Sequence, residues 1–309
     1  MRTSLGKALY VPACSALVAV LATLSACSSP TGKPPPQATS PKPQSPSLRP
    51  DVPRPGDQKV TMLWKGKERT YTVHAPPGYS PGKPLPLVVA MHMYPGTSDA
   101  IAALSGLSKK ADAKNFLVAY PEGLNGGYNA LICCGSEDDV GFIKAMVGRL
   151  TTTWKADPTR IYATGISNGA DMSYKLAVEL HELFAAVAPV SGAYAGDDAA
   201  DASYVPKSPV SVMTFIGGKD RVETSAESGV QTWQQRMVCI PASPQKLTNG
   251  ITKTAATCRD TSDFVTYRLP EMGHSWPGAT AGVMADEEAG INATDLMWDF
   301  FAAHRKKTS

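Results

Sequence analysis

From Lys59 onward the chain alternates short apolar runs with amphipathic stretches, the pattern of a mainly parallel sheet covered by helices on both faces. Val60-Thr61-Met62-Leu63-Trp64 and Thr70-Tyr71-Thr72-Val73-His74 alternate in character around the polar turn Lys65-Gly66-Lys67, which predicts a hairpin. Then follow Leu87 to Met91, Phe116 to Tyr120, Ile161 to Thr164, Ala185 to Val190, Val210 to Ile216 and Phe264 to Tyr267. Such near-continuous apolar runs suit strands buried on both faces. Between them Ile143, Met146, Val147, Leu150 and Trp154 recur at helical spacing, with Lys144 and Arg149 outward and Asp139 placed to cap the helix. Leu296, Met297, Phe300 and Phe301 predict a last helix over Ala293 to His304, packed on the sheet. The expected fold class is α/β in one domain over residues 59–309, with no internal repeat.

The pattern fails before Lys59. From Ser28 to about Asp57 the chain is crowded with Pro, Ser, Lys and Gln, including Pro34-Pro35-Pro36, and cannot bury enough apolar surface to fold. Residues 27–58 are therefore expected to be a disordered linker, whose polyproline form would reach on the order of 90 Å. Upstream, Arg2 and Lys7 precede a mostly apolar run from Ala8 to Leu24, too short and interrupted for a comfortable membrane span and shaped like an export signal. It ends in Leu24-Ser25-Ala26-Cys27, which resembles a bacterial lipobox. That resemblance implies cleavage after residue 26, a lipid on Cys27, and a protein held at the outer face of the cell membrane by its anchor alone; simple secretion is the alternative.

Composition and charge narrow the partners. With 43% hydrophobic and 18% charged residues the chain is an ordinary globular protein. Its formal charge of +3 includes Arg2 and Lys7 of the leader, and nothing forms the basic stripe that nucleic-acid binding needs, so no nucleic-acid partner is expected. After Cys14 and Cys27, Cys133, Cys134, Cys239 and Cys258 remain. An exported chain meets an oxidising compartment, so disulfides are expected, with Cys239 to Cys258 preferred and the state of the adjacent Cys133 and Cys134 open. No Cys-x-x-Cys or paired-His spacing points to a metal, and no cofactor is expected.

Candidate chemistry centres on Gly165-Ile166-Ser167-Asn168-Gly169, a G-x-S-x-G directly after a predicted strand and before a helical stretch. In such an elbow the serine is expected in a tight, strained turn, and the glycines remove side chains that would clash with the neighbouring strand and helix. A serine hydroxyl needs a base to take its proton. Of the five histidines, His74, His181 and His304 fall in positions that suit structural or solvated roles, whereas His274 follows the last predicted strand in Gly273-His274-Ser275-Trp276-Pro277-Gly278. Asp220, just past the strand Val210 to Ile216, is placed to accept from the histidine and fix its tautomer, with Glu223 and Asp197 as fallbacks. The chain order Ser167, Asp220, His274 is that of the α/β-hydrolase fold. Its oxyanion donors would be the backbone N–H of Asn168 and that of Tyr94, with Met93 second, in the loop His92-Met93-Tyr94-Pro95-Gly96. His92 and Trp276 are candidates for contact with substrate, each with a purely structural alternative.

Together Pro86 to His92, Cys133-Cys134-Gly135 with Asp138 to Phe142, Arg160 to Gly169 and Gly273 to Gly278 resemble the esterase family of extracellular polyhydroxybutyrate depolymerases, feruloyl esterases and acetylxylan esterases, over roughly residues 60–305. The resemblance implies an α/β-hydrolase that cleaves small-molecule or oligomeric esters through an acyl-enzyme, and it carries Ser167, Asp220 and His274 onto the triad positions. One departure stands out: Met93 follows the strand-ending His92 where the family usually has glycine, so a narrowed site or shifted oxyanion loop is expected. No substrate-binding module follows the catalytic domain, which favours soluble esters over solid polymer. Alternatives are a non-catalytic ligand-binding lipoprotein, a serine peptidase or an acyltransferase on the same fold.

Overall fold

The structure, a computed structural model, describes residues Val52–Lys306; the expected leader, Cys27 and most of the expected linker lie outside the described residues. Strand β1, Gly56–Trp64, begins inside the stretch expected as linker, because pairing with β2, Lys67–Ala75, extends to Gly56 against Ala75. The hairpin turns on Lys65 and Gly66, both at positive φ (48° and 79°), the geometry that matches the right-handed twist of two antiparallel strands.

Strands β3 (Leu85–Met91), β4 (Leu117–Pro121), β5 (Ala156–Ile166), β6 (Ala186–Val190) and β7 (Ser211–Gly217) follow, with Asp263–Leu269 beside β7. They form the parallel centre of an eleven-stranded sheet in the order β1-β2-β4-β3-β5-β6-β7, then Asp263–Leu269 and Thr252–Thr257. Antiparallel pairs close both edges: β2 against β4 on one side, and Thr252–Thr257 against Asp263–Leu269 on the other. Every residue of β3, β4, β6 and β7 is buried, which is why these segments read as unbroken apolar runs.

Helices α1 (Ser98–Ser105), α2 (Leu107–Lys114), α3 (Asp139–Thr153), α4 (Asn168–Glu179), α5 (Asp197–Ala200), α6 (Glu223–Arg236) and α7 (Ala293–Ala303) complete the fold. One face of the sheet packs Phe142, Met146, Leu150 and Trp154 of α3 with Met172 of α4 and Trp233 of α6. The other packs Leu104, Leu107, Met297 and Phe301 from α1, α2 and α7. Each such side chain contributes about 1.5–3 kcal/mol when fully buried, so both faces of the sheet contribute to holding the strands under the site in place. Among the described residues no helix is long and apolar enough to cross a membrane.

The cap of α3 differs from expectation by one residue. Asp138, not Asp139, accepts from the Gly141 N–H at 3.0 Å. Asp139 turns inward, 1% exposed at its side chain, and pairs with buried Arg69 at 2.5 Å while its other oxygen accepts from the Asn129 N–H at 2.7 Å. The Arg69 guanidinium lies 4.0 Å over the Phe142 ring. A buried charge requires a partner, and this pair ties β2 to the loop that runs from β4 to α3. The preferred Cys239–Cys258 disulfide is present, and Cys133 and Cys134 are also bonded to each other.

Candidate active site

Ser167 occupies the turn between β5 and α4 with φ 57° and ψ −122°. A non-glycine residue persists in such a conformation only where its surroundings over-determine it, and the two flanking glycines show how. A Cβ on Gly165 would lie 2.6 Å from the Gly169 carbonyl carbon and 2.7 Å from Met91 O; one on Gly169 would lie 2.2 Å from Met91 O. The helix therefore starts against the end of β3 at a distance only glycine allows, and Ser167 is pushed up, partly exposed. The N-terminus of α4 begins at the next residue, so its unpaired N–H groups favour negative charge at the serine.

Asp220 stands in the turn after β7, 7% exposed. The turn is drawn to the segment carrying His274 by the Gly218 N–H to Leu269 O (2.8 Å) and the Lys219 N–H to Met272 O (2.9 Å). His274 donates its Nδ1–H to both Asp220 oxygens, at 2.8 and 2.9 Å. This fixes the tautomer, leaving Nε2 as an acceptor, and Nε2 is buried with no hydrogen-bond partner among the described residues. Burial pushes the Asp220 carboxyl up, but the hydrogen bonds from His274 and the Val222 N–H outweigh it, so the group sits below the usual carboxylate range. Ser191 adds a support that sequence reasoning missed: its Oγ donates to Ser275 O, beside His274, at 3.1 Å.

Asn168 follows Ser167 at the first position of α4. Its backbone N–H opens α4, where the first N–H groups have no partner within the helix, and half-exposed Tyr94 lies in the loop after β3. The buried Asn168 side chain clamps the loop above the site, accepting from the Tyr128 N–H (2.8 Å) and donating to Tyr128 O (3.1 Å) and Cys133 O (3.0 Å). Four residues after Ser167, Asp171 lies buried and accepts from the Ala193 N–H at 2.9 Å; burial pushes its carboxyl up to about 7. Helical spacing from Ser167 was the one signal that could have marked Asp171, since its partner lies far away in the chain.

The two candidates for substrate contact, His92 and Trp276, are both buried, which goes with their structural alternatives. His92 is fully buried; its Nδ1–H donates to Met93 O at 2.7 Å and its Nε2 accepts from the Gly123 N–H at 3.0 Å. Both nitrogens are occupied in holding the loop His92-Met93-Tyr94-Pro95-Gly96 to the loop after β4, and burial holds the imidazole below its ordinary value, hence neutral. Trp276 is also fully buried, its indole N–H donating to Thr294 Oγ1 at 3.0 Å, on the α7 side of the core. The Met93 side chain turns into that same core, with Gly96 closing over its sulfur, so it does not fill the site. Of the other histidines, His74 lies between Asp57 and Asp112, His181 bonds Ser208, and His304 bonds Phe300 O and Asp263.

A family model described as Esterase PHB depolymerase matches residues 69–223. Feruloyl esterase C of Emericella nidulans is 29% identical over 267 residues, covering 81% of this chain and 91% of that protein. Probable feruloyl esterase C of Aspergillus niger is 30% identical over 250 residues, 76% of this chain and 84% of its own length. Among solved structures, acetyl xylan esterase from Aspergillus awamori superposes with a TM-score of 0.59 at 18% identity, covering 80% of this chain and all but 1% of that one; that likeness speaks for the fold. With half of its length matched by the family model and its relatives matched over most of theirs, the chain belongs to the PHB depolymerase esterase family and is a carboxylic ester hydrolase of α/β-hydrolase fold.

Proposed function

We propose that Ser167 is the nucleophile, His274 the general base and acid, and Asp220 the orienting carboxylate of an esterase working through an acyl-enzyme. The observation that carries this reading is the pair of Asp220 oxygens on His274 Nδ1–H, which leaves Nε2 as the free acceptor in a buried setting. In this mechanism Nε2 takes the Ser167 proton as Oγ attacks the ester carbonyl, and the carbonyl oxygen becomes an oxyanion facing the Asn168 and Tyr94 N–H groups. The tetrahedral intermediate collapses, the imidazolium protonates the departing alcohol, and a water activated by the same nitrogen then frees the acid. Asp220, kept ionised, stabilises the imidazolium at each stage.

Substrates in this reading are small-molecule or oligomeric esters, hydroxyalkanoate, feruloyl or acetylated sugar among them. The relatives named feruloyl esterase support that range. The expected export signal and lipidated Cys27, with the Pro-rich linker ahead of β1, would hold the enzyme at the outer face of the cell membrane; metabolic labelling with a fatty acid, lost in Cys27→Ala, checks this. The triad is tested by Ser167→Ala: kcat on p-nitrophenyl acetate should fall by about 10⁴-fold or more with the unfolding midpoint preserved. Residual turnover within tenfold of the unaltered enzyme would overturn the assignment.

A further inference from the structure

Folded chains hide most of their large apolar side chains, so those left out beside a reaction centre point to what they touch. Tyr94 and Ile132 are each 48% exposed. Tyr94 supplies the proposed oxyanion N–H, and Ile132 directly precedes the bonded pair Cys133 and Cys134, of which Cys133 is exposed and Cys134 partly so. Gly127 brings these groups together. A Cβ there would lie 2.6 Å from Cδ2 of Tyr94 and 3.3 Å from Cβ of Cys134, so the missing side chain lets the ring and the disulfide share one surface. That surface is fixed to the elbow, because Asn168, the residue after Ser167, donates to Cys133 O at 3.0 Å. On the far side Gly196 packs under the carbonyl of Leu131, where a Cβ would come within 2.1 Å. A bonded cysteine pair carries no charge and no S–H donor, and polarisable sulfur beside an aromatic ring favours apolar and aromatic contacts.

We propose that Tyr94, Ile132 and the Cys133–Cys134 disulfide form an apolar wall that receives an apolar group of the ester substrate beside Ser167. The inference rests on Ser167 being the nucleophile. The wall acts on binding: it favours esters with an apolar group over small or polar ones, and its loss raises KM for the former.

The test compares the full chain with Cys133→Ser/Cys134→Ser, Tyr94→Ala and Ile132→Ser in two series: p-nitrophenyl hexanoate against acetate, and phenyl acetate against ethyl acetate. In at least one series the preference for the more apolar ester, as kcat/KM, should fall about five- to tenfold in each variant, chiefly through KM. Unchanged preferences in both series would overturn the wall. Should the double cysteine variant unfold early, Tyr94→Ala and Ile132→Ser, which retain the disulfide, carry the test. Diisopropyl fluorophosphate labelling run alongside separates the two claims. Label on Ser167 with unchanged preferences counts against the wall alone, whereas a wild-type enzyme that turns over esters without label on Ser167 counts against the nucleophile.

Discussion

Asp220 and Asp171 are both buried carboxyl groups near Ser167, and their surroundings drive them apart. Asp220 receives hydrogen bonds from His274 and the Val222 N–H and stays below the usual range; Asp171 has the Ala193 N–H and is pushed up to about 7. Asp220→Asn should therefore leave the fold intact but lower kcat by about 10⁴-fold, since the amide favours the wrong imidazole tautomer. Asp171 affects stability instead. Its carboxyl releases a proton near 3.8 when unfolded but holds it to about 7 when folded, so the folded state binds the extra proton between those values. The stability it confers is fully present below the unfolded value and declines as pH rises through that window, levelling off above it. Asp171→Asn keeps an acceptor for Ala193 and removes the titration. Urea unfolding should show the variant gaining on the order of 4 kcal/mol over wild type at pH 8 and clearly less at pH 5; a larger gain at pH 5 would contradict this.

At the scale of elements, the elbow depends on how closely α4 approaches β3. Gly169→Ala places a carbon 2.2 Å from Met91 O, where backbone must move, and should cost about 1–3 kcal/mol or more and disturb the serine turn with it. Asn168→Ala tests the clamp: it leaves the Tyr128 N–H without its acceptor, while Tyr128 O and Cys133 O keep the Ala130 N–H, at roughly 1–3 kcal/mol, with the backbone N–H at position 168 retained. Denaturant unfolding with parallel kinetics measures both. The elbow was legible because glycine spacing is a local, steric requirement. His92 and Trp276 stayed open between substrate contact and a structural role because sequence position alone puts them near the site; their partners Gly123 and Thr294, distant in the chain, go with the structural one.

For the whole molecule, apolar runs revealed the central strands because a sheet covered on both faces must be apolar throughout. The sequence pattern concealed α1, α2 and α6: the first two are eight residues each, and α6, rich in Gln, Glu, Thr and Ser, buries only Ala226, Gly229, Val230 and Trp233. The strand Thr252–Thr257, near the sheet edge with only Ala256 buried, lacked an apolar run for the same reason. There the Cys239–Cys258 disulfide, with a sequence separation of 19, secures the end of α6 to that edge. Replacing both cysteines with alanine should lower stability by about 3 kcal/mol, read as a lower unfolding midpoint with kcat unchanged.

The most direct test of the triad is peptide-level mass spectrometry of the folded enzyme after diisopropyl fluorophosphate treatment. A single adduct on Ser167, appearing as esterase activity disappears and absent from Ser167→Ala, is the predicted result. An adduct on another residue, or full inactivation with Ser167 unmodified, would contradict it.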